Sequence, residues 1–486
     1  MSRQPSECRN AVAAKPTRLA GLRLHPLAVG TLAALLAATA VPGLADAQSL
    51  ADSLVTAYRN SPDIASARAT VRAAGEQARQ SRANNLPTVT GTASLAAQFD
   101  NFNDVTLPST LTITLNQSLY NGGQVANTTR AEEIEITAEQ ADLRGTEQDV
   151  LLSALTAHAD VLRDLAFVQL GISNVNVLSE QLRAARERFE VGEVTRTDVE
   201  QARASLAASR SNLAAFRGSL ARSREAYRRA VGVMPGDLQS VPPLPEIPPT
   251  REEGVAIALT RAPALQSARL EREAAGFRVR SAIGALLPQI SLEASASRTD
   301  SLNDTTPTAV QDSETGTIGV TMTLPFYTGG ANHSEVREQQ ANVESAVAGI
   351  TAVERSTIET VGTAYADLEV ARASIRAGLL EVEAARLAFD GVQEEAKVGA
   401  RTTLDVLDAE EDVLEAESDL VDNRRDETVA VYTVLAAIGL LTVDHLGLQI
   451  ERATEADHYD GENGVKNRLF GFDATEDTVW TSRWQP

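Results

Sequence analysis

Cysteine is almost missing from this chain of 486 residues: the single one is Cys8. It falls within a stretch that reads as a secretory signal. Arg3, Arg9, Lys15, Arg18 and Arg23 precede an apolar run from Pro26 to Val41, and Ala45-Asp46-Ala47 supplies small residues at a cleavage site. The run is too short to span a bilayer comfortably, and no second one exists. Residues 1–47 are therefore expected to be a signal peptide. The remainder has no thiol, which excludes a disulfide, a thiol nucleophile or a lipid-bearing cysteine there. Aromatic residues are also scarce, at 4%. Alanine is abundant instead, which suggests close-packed long helices rather than one large core. Positive charge is short too. The chain carries −22, and removing a leader of net +3 leaves −25. Such acidity argues against nucleic acid or anionic headgroups as the main partner.

Catalytic patterns are lacking as well. His158, His333, His445 and His458 are scattered, with no HExxH, nucleophile elbow or phosphate-cradling loop. Gly122-Gly123 and Gly329-Gly330 follow strand patterns and open helices, but no Lys-Ser/Thr follows either pair. A strand-to-helix junction explains them. No enzyme activity, metal site or cofactor is expected.

What is present is one unit written twice. Tyr120-Asn121-Gly122-Gly123 recurs as Tyr327-Thr328-Gly329-Gly330, an offset of 207 shared by Gly192/Gly399, Asp198/Asp405 and Gly232/Gly439. Upstream the offset is 201: Pro62 matches Pro263, and Leu86-Pro87 matches Leu287-Pro288. The six extra residues fall in the acidic stretch Arg298–Gly316, as expected of a surface loop. Residues 48–249 form the first repeat and 250–447 the second, with Pro242, Pro243, Pro245, Pro248 and Pro249 marking the linker; 448–486 is a polar tail.

Each repeat reads helix, two strands, long helix, turn, long helix. Leu111, Ile113, Leu115 and Leu119 alternate with polar residues, as do Ile318, Val320, Met322, Leu324 and Phe326. Such alternation marks a strand with one non-aqueous side. A membrane barrel and a soluble periplasmic β-sandwich both satisfy it, because the signal is weak per segment. The helices are more telling. No proline lies between Gly123 and Gly192, and Ala154, Val161, Val168, Val175, Leu182 and Phe189 keep a seven-residue spacing. Val361, Leu368, Ile375, Val382, Phe389 and Ala396 repeat it. Sustained heptads mean coiled-coil packing. Four strands cannot close a barrel, and an open edge cannot sit in lipid. Strands that span a membrane would therefore require several copies, giving a tube. The alternative is a periplasmic coiled-coil scaffold or adhesin.

The turns between the long helices hold the candidate site. Thr402 and Thr195 can cap the return helices, with Asp405 and Asp198 completing the caps three residues on. Gly192 and Gly399 fit turns needing positive φ. Asp405 and Asp408 share one helical face, and Asp408 has no capping role. Aligned at 207, Arg401 faces Val194 and Asp408 faces Gln201, so those two are peculiar to the second turn.

Leu86-Pro87, Tyr120–Gly123, Pro325-Phe326-Tyr327-Thr328-Gly329-Gly330, Phe189-Glu190-Val191-Gly192 with Thr197-Asp198-Val199, and Gly399 to Asp408 together resemble the TolC family of outer-membrane efflux and secretion channels. The wording around both turns is most similar to the branch serving type I protein secretion. The resemblance implies an α+β membrane protein. Three copies would form a twelve-stranded outer-membrane β-barrel, four strands from each chain, continuing into a periplasmic α-helical coiled-coil barrel. It implies a cation-attracting constriction from Asp405 and Asp408, and a tip latch joining Arg401 to Thr197 and Asp198 of a neighbouring hairpin. Gly192, Thr195, Gly399 and Thr402 would face a periplasmic adaptor tied to an inner-membrane ABC or RND-type pump. The family often has a tyrosine where Ala396 stands, so one closing hydrogen bond is expected to be missing.

Overall fold

The computed structural model describes residues 48–100, 104–301 and 313–450. The expected signal peptide, most of the tail and the centre of the expected insertion lie outside them. The first repeat runs α1 (Leu50–Asn60), α2 (Pro62–Ala83), β1 (Thr88–Leu95), β2 (Gln98–Asp100), β3 (Asp104–Thr106), β4 (Pro108–Asn121), α3 (Gln124–Glu190) and α4 (Arg196–Val231). The second runs α5 (Arg251–Arg261), α6 (Pro263–Gly284), β5 (Gln289–Ser301), β6 (Ser313–Thr323), α7 (Ala331–Lys397) and α8 (Thr403–Ala437).

The leading helix of each repeat is in fact two helices. Pro62 and Pro263 each start a new helix, and the residues before them, Ser61 and Ala262, are held extended at ψ 122°. Proline fits the first helical turn, where its missing N–H costs nothing, but forces its predecessor out of the helical region.

α3 and α7 each have 67 residues, about 100 Å at ~1.5 Å per residue. Both begin at a Gly-Gly pair in the left-handed region, Gly123 at φ 76° and Gly330 at φ 87°. The heptad rows are the inward rows: Ala154, Val161 and Leu182 are buried on α3, and Val361, Leu368 and Val382 on α7. The main core gathers where α1 and α5 meet the long helices. Leu50, Tyr58, Leu151, Leu155, Tyr227, Val361, Val431 and Leu435 pack there. A polar chain threads this core. Tyr227 donates to Ser53 Oγ at 2.8 Å, Ser53 Oγ lies 3.0 Å from His158 Nδ1, and His158 Nε2 lies 3.2 Å from the Gln239 carbonyl.

β1, β4, β5 and β6 form one antiparallel sheet in the order β1-β4-β5-β6, so β1 and β6 are its edges. Val89, Leu115, Ala294 and Ile318 form one cross-strand row, and Gly91, Ile113, Ala296 and Gly316 the next. The opposite face is a ladder of hydroxyls, with rows Thr90-Thr114-Ser295-Thr317 and Thr92-Thr112-Ser297-Thr315. A register shift between Ser118 and Tyr120 places Tyr120, rather than Leu119, opposite Ile290. Such bulges bend a strand at its end.

The apolar face is uncovered in a single chain. Val89, Leu111, Ile113, Ile318, Val320 and Met322 are all more than half exposed, Ile318 at 77%. Left in water, six such side chains forgo on the order of 10 kcal/mol, as much as the whole stability of a domain. A soluble sandwich would cover this face with a second sheet. Among the described residues the remaining strands, β2 and β3, have only three residues each and cannot do so. Among the described residues no helix is long and apolar enough to cross a membrane. The sheet carries the apolar surface.

Candidate pore constriction at the hairpin tips

The two turns are near copies. α3 ends with Glu193 N donating to the Arg188 carbonyl at 2.9 Å, and α7 with Ala400 N donating to the Glu395 carbonyl at 2.9 Å. Gly192 (φ 81°) and Gly399 (φ 77°) occupy the left-handed position that closes such helix ends. Each return helix then opens with a capping box. Thr402 N and Oγ1 both donate to Asp405 Oδ2 at 2.8 Å, and Asp405 N donates back to Thr402 Oγ1 at 3.2 Å. Thr195 and Asp198 repeat the arrangement at 2.7, 2.8 and 3.4 Å. These bonds from Thr402 and Thr195 hold the Asp405 and Asp198 carboxyls below the usual range. Both are charged at neutral pH.

Asp408 is exposed one turn along the same face as Asp405, while the other face of α8 turns inward. Leu407 packs with Leu178, Leu182, Ala202 and Leu206 of the first hairpin. The two carboxylates therefore point away from the hairpin–hairpin contact. Several copies arranged about an axis would gather them into rings, which attract cations and repel one another less when solvated.

Arg401 donates from Nε to Glu395 Oε2 at 2.9 Å, inside its own turn. Within one chain it has no hydrogen bond or ion pair with Thr197 or Asp198. Asp198 is occupied by its cap, and Thr197 is exposed. The expected latch would thus have to form between neighbouring copies.

Three contacts between the hairpins were not evident from the sequence. Arg188 bridges the tips: Nε lies 3.3 Å from Glu193 Oε2, and Nη2 donates to the Ala396 carbonyl at 3.4 Å. The backbone of Ala396 thus accepts a hydrogen bond from the other tip although its side chain cannot. Farther up, Asn174 Nδ2 donates to Glu410 Oε1 at 3.2 Å, and Ser209 Oγ donates to Asn174 Oδ1. Burial raises the Glu410 carboxyl, partly offset by that bond from Asn174. Higher again, Arg425 Nε donates to Asp160 Oδ1 at 2.8 Å, joining α8 to α3. No sequence pattern marks these contacts: Asn174 stands one residue before Val175 of the α3 row, and Glu410 lies on α8, where no such row was identified.

An uncovered apolar strand face, a hydroxyl-lined opposite face and paired coiled-coil hairpins are the features of a membrane channel. The chain belongs to the outer membrane efflux protein family, whose model matches residues 54–233 and 255–440. The two matched stretches begin 201 and end 207 residues apart, as the repeat requires. It is 36% identical over 440 residues to the outer membrane efflux protein BepC of Brucella suis, covering 90% of this chain and 95% of that one. It is 25% identical over 312 residues to the outer membrane protein TolC of Escherichia coli, covering 62% and 63% respectively. Its fold matches crystal structures of CusC, described in terms of folding and transmembrane channel formation, with a TM-score of 0.71 at 19% identity over 81% of this chain and 92% of that one. The protein is an outer-membrane efflux or secretion channel with a periplasmic helical tunnel.

Proposed function

We propose that three copies close a twelve-stranded barrel and passively export substrates when docked to a periplasmic adaptor and an inner-membrane pump of the ABC or RND type. The observation that carries this is the four-stranded sheet: one face is apolar and uncovered, the other is lined with hydroxyls, and both edges are unpaired. Lipid satisfies the first face, water the second, and neighbouring copies the edges. Asp405 and Asp408 form the cation-attracting constriction. Arg401 latches the tip through Thr197 and Asp198 of an adjacent copy. Gly192, Thr195, Gly399 and Thr402 lie on the turns that meet the adaptor, and no catalysis, cofactor or metal enters. The cargo is type I secreted proteins, small molecules or both. The turn wording favours the former, while the resemblance to BepC favours efflux.

Fractionation and tip cross-linking test this together. Heat-modifiable trimers that need detergent for extraction from the outer-membrane fraction, and that cross-link at the tips to an inner-membrane pump complex, support the duct. Release by osmotic shock as a soluble protein would instead support a periplasmic scaffold.

A further inference from the structure

The hydroxyl ladder of the sheet holds one exception. Its rows continue as Thr88-Asn116-Glu293-Gly319 and then Ser118-Ser291-Thr321. Among the described residues of β1, β4, β5 and β6, Glu293 is the one charged side chain on this face. The other charges of these strands, Arg298, Asp300 and Glu314, share the opposite face. They pair with one another there, Arg298 with Asp300 at 2.9 Å and with Glu314 at 3.4 Å. Glu293 is exposed, and its side chain has no hydrogen bond or ion pair among the described residues.

The neighbours of Glu293 are neutral on both sides. Asn116 stands beside it on β4 and Gly319 on β6. At offsets of 201 and 207 the pair Thr92↔Thr112 of the first repeat corresponds to Glu293↔Gly319 of the second. Two hydroxyls are thus replaced by a carboxylate and a bare backbone. A Cβ added at Gly319 would meet nothing within 4 Å, so packing does not demand glycine there. Its effect is to leave the carboxylate uncrowded on the β6 side.

We propose that Glu293 gives the barrel lumen a cation preference of its own, separate from that of the hairpin tips. This rests on the reading of the chain as a three-copy barrel with the hydroxyl face inward. Glu293 is four residues into β5, ~13 Å along the strand at ~3.3 Å per residue. A carboxylate at that depth needs water, which the lumen supplies and lipid does not. The tips lie at the far end of the 67-residue α7, about 100 Å away, many screening lengths off at any ordinary salt concentration. The two sets of charge therefore act independently. Cationic solutes are drawn into the barrel, and anionic ones of equal size are held back.

The size of the effect follows from the geometry. Twelve strands ~4.8 Å apart, tilted by ~40°, enclose a barrel of ~12 Å radius. Three side chains reaching inward place their charges ~8 Å from the axis, with water between them. At 0.01 M salt, where screening extends ~30 Å, they enrich a monovalent cation on the axis about sevenfold. At 1 M, where it extends ~3 Å, the enrichment is about 1.2-fold.

Reversal potentials across a potassium chloride gradient test this in planar bilayers. Asp405→Ala with Asp408→Ala serves as the background, so that the tip carboxylates contribute nothing. Adding Glu293→Gln is expected to lower the potassium-to-chloride permeability ratio at least about twofold near 0.01 M, and hardly at all at 1 M. Glu293→Cys, with Cys8→Ser, should lose the preference likewise. An anionic methanethiosulfonate reagent should then restore it and a cationic one reverse it, a response that a merely structural role would not give. Leu292→Cys, on the lipid face, should answer to neither reagent. Equal ratios with and without Glu293→Gln near 0.01 M, in an oligomer that conducts, would overturn the inference and leave the channel reading standing. No channels from either the unmodified protein or the tip variant would overturn both.

Discussion

Arg401 and Glu395 are paired at 2.9 Å across the end of α7, so the cation peculiar to the second turn is held by its own hairpin. Both side chains are about half exposed, and exposed pairs of this kind contribute little to stability. A latch in which Arg401 reaches Asp198 of a neighbouring copy must exchange one carboxylate for another. Arg401→Ser is therefore expected to raise basal conductance in planar bilayers several-fold, with unchanged thermal stability. Glu395→Gln is expected to leave conductance near the parent's, because it frees Arg401 rather than removing it. Equal rises in the two variants would mean that the pair acts only within its turn.

Arg188 reaches across to the Ala396 carbonyl from the first hairpin. Its position at the C-terminal end of α7 also suits a cation, since the end carbonyls carry partial negative charge. Arg188→Ala should loosen the tip and raise conductance less than Arg401→Ser does, while Arg188→Lys, which keeps a donor, restores closure in part. A conductance for Arg188→Ala equal to the parent's would show that the bond bears no part of closure.

Glu410 is 8% exposed, and burial raises its carboxyl above the ordinary value. A raised folded-state value means that its stabilising contribution is full below the unfolded value, ~4.3. It is lost as pH rises through the folded value. Glu410→Gln keeps an acceptor for Asn174 without the charge. It should stabilise the protein at pH 7 by about 1 kcal/mol, the scale of one buried polar imbalance, with the gain vanishing near pH 4. Thermal melts of both proteins across that range decide it; a pH-independent difference would contradict the assignment.

His158 is fully buried between Ser53 and the Gln239 carbonyl, and its burial lowers its affinity for a proton. A carbonyl only accepts, so Nε2 carries the hydrogen and Nδ1 is left to accept from Ser53. His158→Ala should cost about 3 kcal/mol by leaving a cavity and unpaired groups, and Tyr227→Phe about 1 kcal/mol. The parent should also lose stability as pH falls below ~6.5, where the unfolded chain takes up the proton that the buried ring refuses. Chemical denaturation at pH 7.5 and pH 5.5 measures both effects.

Much of this was legible in the chain because the signals are local. Gly-Gly pairs start α3 and α7, Thr-x-x-Asp caps α4 and α8, and the two offsets of 201 and 207 predict strand pairing. The heptad rows likewise named the buried side of each long helix. What escaped depends on distance or on a single residue's backbone. His158 and Tyr227 lie 105 and 174 residues from Ser53 along the chain, and no spacing joins them. The extra residue at the end of β4 moves Tyr120 into phase, which alternation counted from Leu115 does not show. Pro62 and Pro263 were legible as repeat markers, yet each also divides a helix, because the residue before a proline is driven out of the helical region. Arg188 reads as one arginine among several until α7 is brought beside it.

Single-channel recording of the purified oligomer, parent against Asp405→Ala with Asp408→Ala, tests the central claim most directly. These carboxylates are charged or exposed at the tip and face away from the hairpin contact. The account predicts a cation-selective pore blocked by multivalent cations in the parent, with selectivity and block both reduced in the double variant. Selectivity and block identical in the two proteins would contradict it.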